Sequence, residues 1–414
     1  MSSTTTTQSS FPTELIEEIL DHVDCLPVKD IQSLLSHSSA GYKGGRVATL
    51  ASCSLVSRAW HPRSRFHLFK SVNVTPENYA SFFSLLATPG CTFLHSVHEL
   101  FLSDEYRAGT IYSGCTDPEG DDYWLHKVLP DLAFSMFANI ERLIIHAARF
   151  DYMSEEGFAQ MLIYLSGPTT ITHLALRYCV FPTQNHLIQA LSSVKSLESV
   201  YLMCPTLRII PEGEDLTRSP IPALSPSLSS LMINIDSAMN IVWMARLISI
   251  VGASLKHLST ALWARMVTWD KCMDEFYDAL SFDCHPNLET IAFDYLSTSK
   301  PDGRKKTRHV PAILRKITSS SIRQIILTLS DTRSGLEDPE DLDSVDWAAI
   351  SEVLSEKNYS DLESISVLRV DYHLLDKAMR IIANRMKGSL VKNPSLGVEV
   401  WYQREAVTFP LFGW

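Results

Sequence analysis

The segment "IERLIIHAARFDYMSEEGFAQMLIYLSGPTTITHLAL" (residues 140–176) contains two short strand-like stretches with a helical stretch between them. In "IERLII" apolar residues stand at positions 1, 4 and 6, and "ITHLAL" repeats this spacing. Because positions 4 and 6 are two residues apart, a strand directs both side chains to one face. In "EEGFAQMLIYL", Phe158, Met161, Leu162 and Leu165 have helical spacing. The segment therefore predicts a strand–helix–strand unit.

The same six-residue template recurs along most of the chain. It begins at residues 69, 97, 140, 171, 197, 228, 255, 288, 322 and 362, at irregular intervals. Helical patterns separate most of the strands and hairpin signals are missing, which favours parallel strands. Short strands of this kind bury their apolar faces by stacking on neighbouring repeats. The fold class predicted for residues 69–414 is therefore an α/β solenoid with parallel strands, and "SLGVEVWYQR" (395–404) is its last strand.

The apolar spacing resembles that of leucine-rich repeats of the long helical variety. Such repeats usually carry Asn or Cys near position 9, where the side chain satisfies backbone groups in the turn. Of the corresponding residues here, only Cys179 fits that pattern. A doubly wound α/β sheet is the alternative that strand–helix alternation leaves open.

Composition excludes several classes of function. The 414 residues carry a formal net charge of −11, which argues against a general nucleic-acid binder. Eight scattered cysteines without a C-x-x-C pair do not form a disulfide scaffold. Residues 1–10, "MSSTTTTQSS", lack a secretory pattern and are predicted to be a disordered leader. No apolar run is long enough for a membrane helix. We expect a reduced protein located in the cytoplasm, the nucleus or both.

The common catalytic motifs are missing from the sequence. It contains no G-x-S-x-G, G-x-G-x-x-G, P-loop or H-E-x-x-H pattern. His95 and His98 lack a further metal-ligating companion, and adjacent residues such as Cys284 and His285 rarely face each other. We therefore predict no catalytic residue, no metal site and no cofactor. An enzyme with an unrecognised site remains an alternative.

The first 68 residues have a different pattern. "FPTELIEEILDHV" (11–23) places a broad apolar stripe on one helix, with Pro12 in its first turn. "VATLASCSLVSRAWHPRSRF" (47–66) predicts a second helix, which Pro62 discourages from continuing through His61. Two short helices expose more apolar surface than they can cover, which is typical of a docking module.

Both stretches together resemble an F-box. The pattern of that family is Leu-Pro-x-Glu-Leu/Ile followed by apolar residues, then Leu-Val-(Ser/Cys)-(Lys/Arg)-x-Trp and an apolar pair, here Leu68 and Phe69. The match covers residues 11–68, with Phe11 in place of Leu and an insertion at 27–46 that contains a glycine-rich flexible loop. An F-box followed by irregular leucine-rich repeats is similar to a large set of proteins in mushroom-forming fungi.

The resemblance implies a function. F-box proteins act as non-catalytic substrate receptors of cullin-based ubiquitin ligases: the F-box binds a Skp-type adaptor and the distal domain binds a target protein. Carried over by position, the adaptor-facing residues are Pro12, Leu15, Ile16, Ile19, Leu55, Val56 and Trp60. Several of these residues are equally suited to form the core of the module itself. The alternative function is an interaction scaffold without a role in ubiquitination.

In a solenoid, positions 3, 5 and 7 of each repeat face the concave side of the sheet. The target-binding residues predicted there are Arg142, His173, Arg177, Tyr201, Asn234, His257, Asp294 and Gln324. Their mixture of polar and aromatic side chains is typical of recognition surfaces. A plain solvated sheet face accounts for it equally well.

Overall fold

The structure is a computed structural model that describes part of the chain. It describes residues 13–25, 43–88, 91–104, 123–167, 170–208, 224–235, 241–262, 269–297, 309–330, 342, 345–356, 359–368, 375–386 and 396–401. The predicted leader and Pro12 lie outside the described residues, and so does most of the predicted insertion.

Three helices form the first described unit: α1 (Thr13–Cys25), α2 (Lys43–Val56) and α3 (His61–Lys70). A small core joins them, in which buried Ile16, Leu20 and Leu50 pack with Cys53, Trp60 and Leu68. We call this unit the helical module.

The structure differs from the sequence prediction at two places in this module. The helix predicted from residue 47 ends at Val56, before it reaches His61, and Pro62 occupies the first turn of the next helix, α3, where its missing N–H costs nothing. Phe69 therefore lies in α3, and the first strand begins two residues later at Ser71. Gly44 and Gly45, predicted to lie in a flexible loop, are in α2, where tertiary packing of the helix outweighs their poor propensity.

An eleven-stranded sheet follows the helical module. Its strands are β1 (Ser71–Val74), β2 (Glu99–Ser103), β3 (Arg142–His146), β4 (His173–Arg177), β6 (Ser199–Met203), β8 (Ser230–Ile235), β9 (His257–Leu262), β10 (Thr290–Ser297), β11 (Gln324–Ser330), β12 (Ser364–Leu368) and β13 (Gly397–Trp401). All neighbouring strands are parallel and follow one another in chain order. A second sheet pairs β5 (Val180–Phe181) with β7 (Thr206–Leu207), also in parallel.

The strands pair at the same template positions, except for a register shift after Phe293 at the end of β10. Arg142 lies opposite His173, His173 opposite Ser199, and the match continues to Gly397 on β13. Unbroken chain order excludes the doubly wound alternative, because that fold reverses its strand order at a switch point. The predicted α/β solenoid of leucine-rich-repeat type is confirmed.

Helices pack against the convex side of the sheet. They are α4 (Tyr79–Leu86), α5 (Leu125–Val128), α6 (Glu155–Leu165), α7 (Gln184–Ser193), α8 (Ile241–Ile250), α9 (Trp269–Ala279), α10 (His309–Lys316), α11 (Trp347–Leu354) and α12 (Leu375–Arg385). Successive helices from α8 to α12 contact one another, so they form one layer. Template positions 1, 4 and 6, such as Leu197, Val200 and Leu202, are buried between this layer and the sheet in one continuous core.

A left-handed residue follows three consecutive strands of the main sheet. Ala147, Tyr178 and Cys204 have φ of 58°, 54° and 48°. Each donates its backbone N–H to the carbonyl of position 7 on the next strand, at 2.8, 2.7 and 2.9 Å. The buried thiol of Cys179 donates a hydrogen bond to the carbonyl oxygen of Ile145, with a sulfur–oxygen distance of 3.4 Å. Cys179 thus satisfies backbone groups in the turn, as the leucine-rich-repeat resemblance implies for this position.

The helical module passes into the solenoid through α3 without a linker. Phe69 at the end of α3 stacks on Phe93, with ring centroids 4.8 Å apart, and Phe66 meets the His98 ring edge-on. Arg65 donates a hydrogen bond to the hydroxyl of Thr92 at 3.2 Å. These contacts fix α3 against the first repeats. No helix among the described residues has the length and apolarity needed to cross a membrane.

Candidate functional site

The helical module exposes a group of large apolar side chains. Among the described residues, seven large hydrophobic side chains are exposed, and five of them lie in this module: Leu15, Ile19, Val47, Leu55 and Val56. Leu55 is 85% exposed and Val56 64%. Isolated exposed leucines are common on proteins, but such a concentration within two short helices indicates an interaction surface. We call these five residues the apolar docking group.

The structure divides the predicted adaptor-facing residues into two sets. Leu15, Ile19, Leu55 and Val56 are exposed. Ile16 is buried, and Trp60 packs against the Ile16–Leu20–Leu50 core, so both hold the module together. Pro12 lies outside the described residues. Sequence reasoning missed Val47, whose apolar position in the first half of α2 was the available signal.

Helical periodicity explains the exposed residues on α1. Leu15 and Ile19 are four residues apart and lie beside Ile16 and Leu20, so the apolar stripe is wider than the face that α2 and α3 cover. Leu55 and Val56 are the last two residues of α2, where the helix ends before the turn that leads to α3. Each half of the predicted module therefore contributes exposed apolar residues.

A charged cluster joins α1 to α3 in the same module. The Asp21 carboxylate accepts hydrogen bonds from Arg63 Nη2 at 2.6 and 2.7 Å and from Arg63 Nε at 2.9 Å. Nε2 of the buried His67 lies 2.8 Å from Asp21 Oδ1. The hydrogen bond with Arg63 is the main reason that the pKa of Asp21 lies below its usual value. This cluster fixes α1, which carries Leu15 and Ile19 of the apolar docking group, against α3.

The concave face of the sheet carries the second predicted set. Arg142, His173, Tyr201, His257 and Gln324 keep part of their surface exposed. The structure buries the remaining three, all at position 7: Arg177, Asn234 and Asp294. The five partly exposed residues are therefore better placed to contact a partner directly. The three buried residues support the face without reaching its surface.

Basic and aromatic groups dominate the concave face on β3, β4 and β6. The Arg177 guanidinium lies over the Tyr201 ring, 5.2 Å from its centroid. Arg142 pairs with Glu99 on β2 at 3.7 Å. Burial lowers the pKa of His173, and the adjacent charge of Arg142 lowers it further, so His173 is neutral at pH 7.

A buried carboxylate organises the concave face on β9, β10 and β11. Asp294 on β10 accepts a hydrogen bond from the Thr328 hydroxyl at 2.7 Å and another from the Ser259 hydroxyl. The donors come from the strands on either side of β10. Buried polar groups are retained in proteins when they are bonded in this way. The network fixes three strands relative to one another at the centre of the face.

A second apolar cluster lies on the concave side, separate from the main core. Ala292 on β10 and Ile326 on β11 are buried there, and Met232 and Leu368 pack against them. Sequence analysis did not single out this cluster, because it treated position 5 as solvent-facing. The signal was the small or apolar character of position 5 in this half of the chain.

The histidine and cysteine side chains considered as candidates from the sequence are not brought together into a site in the part of the chain that the structure describes. No group of three His, Cys, Asp or Glu side chains there is placed to hold a metal ion. Cys284 is exposed whereas the adjacent His285 is fully buried, so the two do not form a nucleophile–base pair. Burial raises the pKa of the Cys179 thiol to about 12, which leaves it protonated and unreactive at neutral pH.

No known protein-family model matches this sequence, and no curated protein matches it. Among solved structures it is similar to the leucine-rich repeat-containing protein LegL7 from Legionella pneumophila, with TM-score 0.42, 12% identity and coverage of 82% of this chain and 93% of that chain. It is also similar to an internalin (inlF) from Listeria monocytogenes, with TM-score 0.24, 11% identity and coverage of 78% and 88%. At these TM-scores the fold assignment depends on the strand order and register described above.

Proposed function

We propose that this protein is the substrate-recognition subunit of an SCF-type ubiquitin ligase, in which the helical module binds a Skp-type adaptor and the repeats bind a target protein. The proposal also makes the chain a non-catalytic subunit that reaches cullin through the adaptor. The observation that carries it is the apolar docking group on the segment whose sequence resembles an F-box.

The energetics favour a tight partner for the apolar docking group. Full burial of a Leu, Ile or Val side chain stabilises a complex by about 1.5–3 kcal/mol. All five of its side chains are more than two-fifths exposed in this structure, so much of that free energy remains available for binding. A partner with a complementary apolar groove would therefore gain several kcal/mol from this surface, before the entropic cost of association.

The junction with the solenoid supports a receptor role. Because α3 contributes Leu68 to the module core and ends in contact with the first repeats, it is shared between both parts. A shared helix limits the angles that the module and the concave face can take relative to each other. A ligase receptor needs that restriction, because the bound target has to reach the site of ubiquitin transfer.

The second candidate function is an interaction scaffold that uses the helical module for assembly without ubiquitination. The repeat architecture favours it as much as the first, because solenoids provide extended concave binding surfaces for many partners. Co-purification of cullin with the full chain, and a target protein whose abundance rises when the gene is deleted, would separate the two functions.

The experiment that tests adaptor docking is a pull-down with a purified Skp-type adaptor and the double variant Leu55→Asp/Val56→Asp. Two carboxylates in an apolar interface are expected to weaken binding at least a hundredfold, because desolvating them without a partner costs several kcal/mol. Both positions are exposed, so the module should still fold.

The matched control is Leu85→Asp, which places the same charge on an exposed leucine of α4 outside the module. It should bind the adaptor as the unmodified chain does. Binding of the double variant within threefold of the unmodified chain would refute adaptor docking through this surface. Ile16 and Trp60 are unsuitable for this test, because substituting them disrupts the module core.

A further inference from the structure

We propose that Ser57 is a phosphorylation site that controls docking of the helical module, so that the unmodified chain binds the adaptor and the phosphorylated chain releases it. The control of docking rests on the proposed function, whereas the modification itself does not. Ser57 is exposed and lies in the turn between α2 and α3, directly after Leu55 and Val56 of the apolar docking group.

The Ser57 hydroxyl can carry a phosphate without disturbing the turn. Of the four serines between residues 47 and 66, Ser57 alone lies outside a helix. Ser54, by contrast, is part of α2 and donates its hydroxyl to the carbonyl oxygen of Ala51 at 2.6 Å. The turn itself is closed by the backbone, through a 3.2 Å bond from the Trp60 N–H to the Ser57 carbonyl oxygen. A phosphate on the side chain leaves that bond in place.

The charges around Ser57 favour an anion in the unbound chain. Residues 43–70, which span α2 and α3, contain six Lys or Arg residues and no Asp or Glu, although the whole chain has a net charge of −11. The exposed Arg58 follows Ser57 directly. The positive N-terminal end of α3 and the negative C-terminal end of α2 are similar in size and largely cancel, so the basic side chains decide the balance. The module can therefore fold with the phosphate in place.

The same phosphate is costly once a partner covers the docking group. Because Leu55 is 85% exposed and Val56 64%, a partner that buries them has to approach the atoms beside Ser57. A phosphoserine carries about −1.5 to −2 charges at pH 7, and an apolar interface removes its water without replacing those hydrogen bonds. A modification that is tolerated in one state and disfavoured in the other shifts the equilibrium between them. Phosphorylation therefore favours the undocked chain.

The modification is an ordinary phosphoryl transfer from ATP by a protein kinase. The Ser57 oxygen attacks the γ-phosphorus, a new O–P bond forms, and the bond between that phosphorus and the β–γ bridging oxygen breaks. The hydroxyl proton passes to the base of the kinase, and ADP leaves with the electron pair. Hydrolysis of the phosphoester by a phosphatase restores the hydroxyl and the docking surface.

Adaptor binding by the full chain with phosphoserine incorporated at position 57 tests the control of docking. Its affinity for a purified Skp-type adaptor, measured by titration calorimetry, should be at least thirtyfold weaker than that of the unmodified chain. The matched control carries phosphoserine at position 84, an exposed serine beside the exposed Leu85 of α4. It should bind within twofold of the unmodified chain. Hydrogen exchange in α1 and α3 should be the same in all three proteins.

Two results would overturn the control of docking. One is binding of the chain phosphorylated at position 57 within threefold of the unmodified chain. The other is faster exchange in α1 and α3 of that protein, because the loss of binding would then reflect unfolding of the module.

Mass spectrometry of the chain isolated from its own cells tests the modification. Trypsin releases residues 47–58 as one peptide, and its fragments should place a phosphate on Ser57 in the fraction without adaptor. Absence of that phosphate from the fractions with and without adaptor would refute the modification. An unmodified chain that does not bind the adaptor would reject the proposed function, and the mass spectra would still decide whether Ser57 is phosphorylated.

Discussion

Asp104 stabilises the start of a helix through its carboxyl group, and the same burial shifts the pKa of that group. Its Oδ1 accepts the backbone N–H groups of Trp124 at 2.8 Å and of Leu125 at 3.0 Å, at the start of α5. Burial raises its pKa from 3.8 to about 6. The carboxyl group thus organises a helix N-terminus while its environment disfavours the charge.

The first prediction concerns the pH dependence of stability at Asp104. Because its pKa is raised in the folded state, its contribution to stability is fully present below pH 3.8 and is lost as the pH rises through about 6. We expect Asp104→Asn, which keeps the Oδ1 acceptor, to be more stable than the unmodified chain at pH 8 by about 2–3 kcal/mol and equally stable near pH 4.

Urea unfolding at a series of pH values measures this difference. Asp104→Ala serves as the control, because it loses the acceptor for both N–H groups and should be less stable than Asp104→Asn at every pH. A stability difference between the Asn variant and the unmodified chain that does not change between pH 4 and pH 8 would contradict the prediction.

At the scale of elements, α3 connects the helical module to the solenoid. Through Leu68 it contributes to the core of the helical module, through Arg63 and His67 it contacts Asp21 of α1, and through Phe69 it stacks on Phe93 of the solenoid. One ten-residue helix therefore belongs to two units of the fold. Its polar contact with α1 is the element-scale feature most open to a direct test.

We expect Asp21→Ala to loosen the packing of α1 on α3. The substitution removes a bidentate bond to Arg63 and the contact with His67, and since Asp21 and Arg63 are partly exposed the cost should be about 1–2 kcal/mol. Hydrogen exchange of the α1 and α3 amides should accelerate about 5- to 30-fold.

The control for this substitution is Glu18→Ala on the exposed face of α1, which should leave the exchange rates within twofold. Protection in β3 and β4 should not change in either variant, because those strands lie in the separate core of the solenoid. Unchanged exchange in α3 of the Asp21 variant would show that apolar packing alone sets the angle between these helices.

At the scale of the whole molecule, the core of the solenoid runs along the stack from one repeat to the next. Each repeat of the sheet contacts its two neighbours, so stability depends mainly on interfaces between adjacent repeats. A defect in one repeat should therefore spread along the stack and weaken with distance.

Leu202→Ala tests this behaviour, because Leu202 is fully buried at position 6 of β6 near the middle of the stack. We expect a loss of about 2–5 kcal/mol from the cavity and the lost burial. Hydrogen exchange should accelerate most in β4, β6 and β8 and least in β1 and β13. Uniform acceleration in all strands would indicate one cooperative unit in place of a nearest-neighbour stack.

The sequence by itself determined the solenoid and the location of the helical module. Apolar residues at positions 4 and 6 bury one face of each strand, and that local requirement recurs in every repeat, so strand order and register could be predicted from spacing alone. Leu15, Ile19, Leu55 and Val56 were named from the resemblance to an F-box, and the structure exposes all four side chains.

Only the tertiary structure decided which apolar residues of the module are core and which are surface. Ile16 and Leu15 are adjacent in sequence and similar in hydrophobicity, but the packing of α2 and α3 buries the first and leaves the second exposed. The sequence could not predict burial on the concave face either. Arg177, Asn234 and Ile326 are buried there, and their burial depends on the three-dimensional packing around them. Spacing along a chain fixes the direction of a side chain within its own element, whereas its exposure depends on residues far away in the sequence.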